Sequence, residues 1–238
     1  MTRFDKIAAV ACIALGSTAV SARADSIADW TFESSQPASA GPFAAESGSG
    51  SALAFHAGAT TYSSPAGNGS SHSFSSTNWL QDDYYQFTVS TAGFSNLSLS
   101  WDQTSSNTGP KDFELEYSTN GTTFTDFASY TVLPNGTGNP AWNQNTSSAA
   151  YSFTENLSSL SALNNQSSLL FRLVDVGTDA ANGGTVASGG TDRVDNFMVT
   201  GSPAAPVPLP AAAWLLGGGL LGLGRFVRRR AGELSARR

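Results

Sequence analysis

Residues 85–101 read YQFTVSTAGFSNLSLSW and contain two short segments in which apolar and polar side chains alternate. The apolar members are Tyr85, Phe87 and Val89 in the first segment and Leu97, Leu99 and Trp101 in the second. A period of two is typical of a strand that buries one face. The two segments therefore predict two half-buried strands.

The same period recurs on both sides of this region. Residues 113–117 alternate in the same way and are followed by Asn120-Gly121, a pair suited to a type I′ turn, and then by a strand at 124–127. Further strands are predicted at 27–33, 53–56, 128–133, 150–154, 169–175 and 193–200, and a single helical turn at 157–163. About nine short strands without a helical period or a fixed repeat predict an all-β fold, an antiparallel β-sandwich of the jelly-roll type.

The N-terminal segment has the pattern of a secretory signal peptide. Arg3 and Lys6 precede an apolar run at residues 7–15, and Ala22-Arg23-Ala24 forms an A-x-A cleavage pattern. Cys12 lacks the preceding Leu-led sequence of a lipoprotein. We expect residues 1–24 to be removed, with Asp25 as the new N-terminus.

The C-terminal segment has the composition of a membrane-spanning helix. Residues 207–224 carry no charge, and as a helix they extend about 27 Å at ~1.5 Å per residue, close to the ~30 Å of bilayer hydrocarbon. Arg228, Arg229 and Arg230 follow, and such a cluster marks the cytoplasmic end. The sequence predicts one C-terminal transmembrane helix within 204–230 and a cytoplasmic tail at 231–238.

The order of a Pro motif, a Gly-rich apolar helix and an Arg cluster resembles the bacterial PEP-CTERM sorting signal in its VPLPA variant. The matching residues are Val207, Pro208, Leu209, Pro210 and Ala211, and Leu209 stands where the commoner form has Glu. The resemblance implies cleavage near the Pro motif by exosortase, an integral-membrane cysteine protease. It implies delivery, after an inner-membrane intermediate, to the cell surface or the exopolysaccharide matrix. An uncut single-pass anchor is the alternative.

The region between these segments, residues 25–203, forms the predicted ectodomain and is strongly acidic. It has 16 Asp and Glu against three Lys and Arg, and so a formal net charge of −13, whereas the whole chain has −6. Such a domain is repelled by nucleic acid and attracts divalent cations. Because Cys12 is the only cysteine, we expect neither disulfides nor thiolate chemistry in the mature form.

Catalytic patterns are scarce in this ectodomain. His56 and His72 have no metal-ligand spacing and are expected to be solvated, and no G-x-S-x-G sequence occurs. Glu114 and Glu116 lie on one strand face, roughly 6 to 7 Å apart at the backbone, and so within the ~5 to 10 Å that a glycosidase pair requires. Their alternation with buried residues favours instead a solvent-facing acidic stripe. We therefore expect a protein without enzymatic activity, with a secreted hydrolase as a lesser alternative.

Two binding sites are predicted from residue type. The acidic positions near the first and last strands, Asp29, Glu33, Asp192 and Asp195, offer the oxygen ligands that a structural calcium ion prefers. Arg193 and Asp195 share the parity of Phe197, so an arginine–carboxylate pair is the alternative to the metal. Trp142, flanked by Pro140-Ala141 and by the polar run Asn143-Gln144-Asn145, is the predicted exposed ring for a saccharide.

The hairpin at 113–127 and the closing segment 193–199 loosely resemble secreted sandwich domains related to carbohydrate-binding modules. The resemblance implies a jelly-roll fold, and a fold alone does not establish an activity. The sequence thus predicts an exported, non-enzymatic surface or matrix protein associated with exopolysaccharide, with a carbohydrate-binding module as the competing class.

Overall fold

The computed structural model describes residues 24–136 and 138–204, which are almost entirely β-structure and loops. The strands are β1 (Asp25–Trp30), β2 (Phe43–Ala44), β3 (Ser47–Gly48), β4 (Gly50–Phe55), β5 (Tyr62–Ser63), β6 (Phe74–Thr77), β7 (Tyr84–Val89), β8 (Phe94–Ser105), β9 (Asp112–Ser118), β10 (Thr125–Thr131), β11 (Ser152–Asn156), β12 (Leu169–Asp175) and β13 (Thr191–Pro203). Two short 3₁₀ turns, Ala149–Tyr151 and Ser161–Leu163, complete the elements.

The strands form two sheets in which the neighbours pair antiparallel. The seven-stranded sheet has the order β11-β8-β13-β1-β3, with β6 added to β13 and β5 added to β6. The six-stranded sheet has the order β10-β9-β12-β7-β4-β2. Since neighbours in the sheets are mostly distant in sequence, the chain alternates between the two layers, and the predicted all-β antiparallel sandwich is confirmed.

Aromatic rings fill the space between the sheets. Phe87 of the six-stranded sheet stacks on Phe197 of the seven-stranded sheet, with ring centroids 3.6 Å apart. Trp30 meets the edges of both rings, at 5.3 Å and 6.0 Å. All three side chains are fully buried, and burial of large apolar groups is the main favourable term in folding.

The longer predicted strands have counterparts in the structure. Residues 169–175 coincide with β12, the segments at 85–89 and 97–102 lie within β7 and β8, and the two segments predicted at 124–127 and 128–133 form one strand, β10. The sequence pattern missed β2, β3, β5 and β6, which have four or fewer residues and too few positions to display a period. The predicted helical turn at 157–163 is represented by the 3₁₀ turn at its end.

Two local predictions are wrong. The hairpin between β9 and β10 exists, but only Gly121 has a positive φ (74°), so the turn is not type I′. The side chain of Asn120 instead accepts hydrogen bonds from the backbone N–H groups of Thr122 and Thr123. In β13 the register shifts after Asp195, next to Asn196 (φ 50°), so Phe197 shares the buried face of Val194, and its predicted shared parity with Arg193 and Asp195 is wrong.

The two predicted targeting segments lie outside the described residues, apart from Ala24 at the end of the predicted signal peptide and Ala204 at the start of the predicted sorting signal. Among the residues that the structure does describe, no helix is long and apolar enough to cross a membrane.

Candidate functional site

The structure brings two of the four predicted calcium ligands to one loop, between β5 and β6. The carboxylate of Glu33 accepts a hydrogen bond from the backbone N–H of His72 at 2.7 Å. The Oδ2 atom of Asp195 accepts one from the backbone N–H of Asn68 at 2.9 Å and another from the hydroxyl of Ser70 at 2.6 Å. Both carboxylates therefore hold the same loop.

The loop packs so closely on Asp195 that only glycine fits at position 67. A Cβ atom on Gly67 would lie 2.0 Å from Ser70 Oγ, 2.1 Å from Asp195 Oδ2 and 2.4 Å from the carbonyl oxygen of His72. Asp195 is fully buried. Desolvation raises its pKa to about 7, although the hydrogen bonds from Ser70, Asn68 and Asn196 act to lower the pKa. Among the described residues no basic side chain forms an ion pair with it.

Asp192 lies in the interior, away from that loop. Its carboxyl group meets Nε2 of Gln103 at 3.0 Å and Oγ of Ser105 at 2.9 Å. The single hydroxyl hydrogen of Ser105 is directed at the carbonyl oxygen of Pro110, 2.6 Å away, so the proton between Ser105 and Asp192 belongs to the acid. Burial raises the pKa of Asp192 well above its ordinary value, which agrees with a neutral acid.

Asp29 lies on the outer face of the seven-stranded sheet. It is opposite Met198, which places it about 20 Å from Asp192 along β13 at ~3.3 Å per residue. It lines a shallow groove of about 340 Å³, together with the polar side chains of Thr31, Ser100, Asp102, Ser152, Thr154 and Asn196. Burial, followed by the charge of Glu46, raises the pKa of Asp29. No group of three or more Asp, Glu, His or Cys suited to a metal ion occurs within the described ranges.

Trp142 is not the exposed ring that the sequence predicts. It is only 5% exposed, its indole N–H donates to the carbonyl oxygen of Ala66, and its ring meets Tyr151 edge-on at 5.4 Å. Trp79 and Trp101 are also buried. The sorting residues Val207, Pro208, Leu209, Pro210, Arg228, Arg229 and Arg230 lie outside the described part of the chain.

One exposed and two partly exposed aromatic rings are found instead on the outer face of the six-stranded sheet. The guanidinium of Arg172 lies 3.9 Å from the ring centre of Tyr84 and 3.5 Å from that of Phe124. On the far side of β7, the ring of Phe55 stacks on Tyr84 at 5.1 Å and is 46% exposed. We call these four residues, Phe55, Tyr84, Arg172 and Phe124, the aromatic stack.

Alternation along the strands explains why the aromatic stack faces outward. Phe87 and Phe171 are fully buried, so residues an odd number of positions away, Tyr84 and Arg172 among them, point to the opposite face. Antiparallel register then sets Phe55 directly across from Tyr84. The stack is therefore built from three adjacent strands and the loop that precedes β10.

Polar groups flank the stack and hold Arg172 in a fixed orientation. Its Nε–H donates to Gln86 at 2.9 Å and its Nη2 to the Tyr84 hydroxyl at 3.1 Å. An arginine has five N–H groups. The three N–H groups of Arg172 that make neither of these bonds have no acceptor among the described residues. Glu116 is directly opposite on β9, and burial, then the charge of Asp126, raises its pKa while Arg172 opposes this.

The two glutamates considered as a hydrolytic pair lie at the acidic edge of this face. Glu114 and Glu116 are both partly exposed, which agrees with the predicted acidic stripe. Burial and the charge of Asp126 raise the pKa of Glu114 as well. The groove beside Asp29 and Asp102 is lined by neither of these two carboxylates.

The side chain of His56 is buried, contrary to the expectation that it is solvated. Its Nδ1 lies 2.8 Å from Asp83 Oδ2 and its Nε2 2.9 Å from Ser76 Oγ. Asp83 also accepts from the backbone N–H groups of Ala57 and Leu80, so it acts as a carboxylate and His56 carries its proton on Nδ1. Desolvation lowers the pKa of His56, which keeps the ring neutral.

The Ser76–His56–Asp83 arrangement has the connectivity of a catalytic triad but cannot reach a substrate. Ser76 and Asp83 are 0% exposed, and the side chain of His56 is 1% exposed. The Ser76 hydroxyl also contacts the hydroxyl of the buried Tyr85 at 3.2 Å. A nucleophile must meet the reacting atom, so these three residues are structural.

The sequence contained only weak signals for these sites. The sequence does not predict that Phe55 and Tyr84 are on the outer face. Tyr84 and Tyr85 are adjacent tyrosines, and only the second is fully buried. Phe124, one of the two aromatic rings that contact the guanidinium of Arg172, lies in a loop about 48 positions earlier in the chain. The one available signal was the scarcity of basic residues, which made Arg172 one of only three in residues 25–203.

Asp175, at the end of β12, is a further buried acid. It is 1% exposed; its Oδ1 accepts from the Gly177 backbone N–H, and its Oδ2 has no partner. Desolvation raises its pKa to about 7, and the charges of Asp83, Asp112 and Asp82 act in the same direction. Ionised Asp175 therefore destabilises the fold.

No protein-family model matches the sequence, and no curated protein matches it. Solved structures with a similar fold include the K2 cleaved adhesin domain of Lys-gingipain (13% identity, 72% of this chain and 97% of that chain, TM-score 0.42). The Clostridium thermocellum xylanase 10B CBM22-1–GH10 modules, solved with xylohexaose, match at 13% identity over 78% of this chain (TM-score 0.42), which spans 30% of theirs. TmCBM61 with β-1,4-galactotriose matches at 9% identity over 62% of this chain and 85% of that chain (TM-score 0.35).

These neighbours are carbohydrate-binding-module and adhesin-type β-sandwich domains. At such low identities and TM-scores, their ligands do not transfer to this chain.

Replacing Asp175 with Asn tests the buried charge. The wild-type side chain is protonated in the folded state below a pKa of about 7, whereas in the unfolded state it ionises near ~3.9. Its stabilising contribution is therefore complete at low pH and is lost as the pH rises through 7. We expect Asp175→Asn to be about 1–3 kcal/mol more stable than wild type at pH 8 and equal to it below about pH 4.

Urea unfolding at a series of pH values measures this difference. Asp179→Asn, on an exposed carboxylate of the following loop, is the matched control and should show no such trend. A stability difference that did not vary with pH would contradict the assignment.

Proposed function

We propose that this protein is an exported, non-enzymatic surface or matrix protein that binds neutral saccharide on the outer face of its six-stranded sheet. The aromatic stack is the observation that carries the proposal. Phe55 and Phe124 end the stack, so each has a ring face that no other member covers. The C–H face of a sugar ring packs on such a surface, as apolar groups do on exposed aromatics.

The polar groups beside the stack suit sugar hydroxyls. Arg172 offers free N–H donors, and Glu116 across the strand pair offers acceptors. A hydroxyl both donates and accepts, so adjacent hydroxyls of one sugar can pair with the two side chains. Because Arg172 is already fixed by two rings and two hydrogen bonds, little ordering entropy is lost on binding.

Charge selects against acidic polymers. Residues 25–203 carry a formal net charge of −13, and Glu116, which is opposite the one guanidinium of the site, is also affected by the charges of Asp126 and Glu114. A polyuronate is repelled by this field, as nucleic acid is. The preferred ligand is therefore an uncharged polysaccharide of the kind found in exopolysaccharide.

Export and sorting complete the proposed function. The signal peptide at 1–24 directs the chain out of the cytoplasm, and the tail at 204–230 is read and cut by an exosortase-type membrane protease. The support for this step is the Val207–Ala211 motif, the uncharged stretch that follows and the Arg cluster. The mature protein then remains at the cell surface or in the matrix.

A structural calcium ion at Glu33 and Asp195 is also proposed. The support is that the carboxylates of Glu33 and Asp195 both contact one loop, which also carries the Ser70 hydroxyl and the His72 carbonyl, and that a hard cation prefers oxygen ligands of these kinds. The ion would supply the positive charge that the buried Asp195 lacks. Asp29 and Asp192 do not belong to this group because they lie elsewhere on the sandwich.

Affinity electrophoresis tests saccharide binding. We expect the exported protein to be retarded by at least one soluble neutral polysaccharide from a panel of xylan, galactan, mixed-linkage glucan and dextran, and not by polygalacturonate. Phe124→Ala and Arg172→Ala should each weaken binding about tenfold, equivalent to ~1.4 kcal/mol.

Leu133→Ala is the control, since Leu133 is 37% exposed and lies near the end of the seven-stranded sheet. Absence of retardation on the whole panel, or an equal loss in Leu133→Ala, would refute the proposed site.

Thermal unfolding with calcium and with a chelator tests the ion. Calcium should raise the Tm of the wild type. At a free calcium concentration of 100 times the Kd, binding adds about 2.7 kcal/mol to the free energy of unfolding. Asp195→Asn should lose the calcium effect, whereas Asp29→Asn should keep it. A Tm unaffected by either addition would remove the calcium ion from the proposal.

Mass spectrometry of the mature C-terminus tests sorting. We expect the protein in the envelope or matrix to end near Pro210, without Arg228, Arg229 and Arg230. An export-competent chain recovered with all three arginines would instead support an uncut membrane anchor.

A further inference from the structure

We propose that the buried His56–Asp83 pair is a positioning clamp for the aromatic stack, which keeps Phe55 and Tyr84 in the arrangement that binds ligand. This inference rests on the proposed saccharide site, because the clamp matters to function only if the stack is the binding surface. It concerns two residues that do not touch the ligand.

Strand register places the clamp directly beside the stack. The pairing of β4 with β7 ends at Phe55 opposite Tyr84. The residues just beyond these two strand ends are His56 and Asp83, and their side chains bond at 2.8 Å where the backbone pairing stops. Because side chains alternate, the bond lies on the buried face while the two rings lie on the exposed face.

Asp83 holds both chain segments that carry the rings. Its Oδ1 accepts from the backbone N–H of Ala57, just after β4, and its Oδ2 from that of Leu80, in the loop before β7. Each bond is 2.8 Å long. Bonds to an ionised acceptor are about twice as strong as neutral ones, so one carboxylate fixes both strand ends.

The ring of His56 is itself locked in place. Ser76 occupies its Nε2, and Trp79 meets it edge-on at 4.7 Å. Tyr62 lies at 5.9 Å on another side. The imidazole therefore cannot turn away from Asp83 without breaking packing on two sides.

Release of the clamp would reach Arg172 through Tyr84. The Tyr84 ring supports the guanidinium at 3.9 Å and its hydroxyl accepts from Nη2. If the start of β7 loosens, Arg172 loses one of its two rings and one of its two hydrogen bonds. The binding surface then becomes mobile although the core between the sheets stays intact.

The His56→Phe variant tests this clamp. Phenylalanine keeps a planar ring against Trp79 but cannot bond Asp83. Ser76→Ala is the matched control, because it removes one buried hydrogen bond from the same ring and leaves the clamp in place. His56→Gln can donate to Asp83 and accept from Ser76, so this variant should keep the wild-type position of Arg172 and the wild-type affinity for polysaccharide.

The NMR signal of the Arg172 Nε–H group is the first readout, and it needs no ligand. Between two ring faces this proton is shifted upfield, and in His56→Phe we expect it to move towards its ordinary position. Ser76→Ala and His56→Gln should keep the upfield shift. Should His56→Phe not fold, Asp83→Glu displaces the carboxylate by one methylene and gives a second test with the same expected result.

Affinity for the neutral polysaccharide that retards the wild type is the second readout. We expect a loss of about tenfold in His56→Phe and less than about twofold in Ser76→Ala. An unchanged Arg172 signal in His56→Phe, or equal losses in Ser76→Ala, would overturn the clamp. If no polysaccharide binds the wild type but the Arg172 signal still moves, the clamp stands and the proposed function fails.

Discussion

The stacked pair of Phe87 and Phe197 joins the two sheets, and the rest of the structure depends on this contact. Because the only cysteine is Cys12, no disulfide is available to residues 25–203, and packing must stabilise the sandwich. Once Phe87 points inward, alternation sends Tyr84 and Gln86 to the outer face. The same contact that stabilises the core thus determines which residues can meet a ligand.

A buried polar layer complements this apolar core. The Asp192 carboxyl is bonded to Gln103 and Ser105, and Gln103 accepts in turn from the hydroxyl of Tyr130 on the other sheet. Unpaired polar groups in the interior are costly, so such a network is stable only when the strands hold one register. Asp175 is a charged exception, with one oxygen atom unpaired and a pKa of about 7.

The proposed saccharide binding depends on both the negative charge of residues 25–203 and the geometry of the aromatic stack. An acidic domain with a single guanidinium on its aromatic face is the basis of the proposed preference for hydroxyl-bearing, uncharged polymers over anionic ones. The loop before β6, which carries the candidate cation site, has a different role from the aromatic stack. It connects β13 to this segment through Asp195 and also bonds Glu33. In the proposed function, the aromatic stack contacts the ligand and the loop held by Glu33 and Asp195 serves the integrity of the sandwich.

The sequence by itself determined the fold class, the longer strands and the acidic charge, because alternation and composition are local properties of the chain. It placed β12 at residues 169–175 and identified Glu33 and Asp195 as acids near the first and last strands. Only the tertiary structure decided that His56 meets Asp83, that Phe124 covers Arg172 and that Trp142 is buried. Alternation states which face of a strand is inside, whereas strand order, a bulge at Asn196 and the course of the loops decide which distant side chains become neighbours.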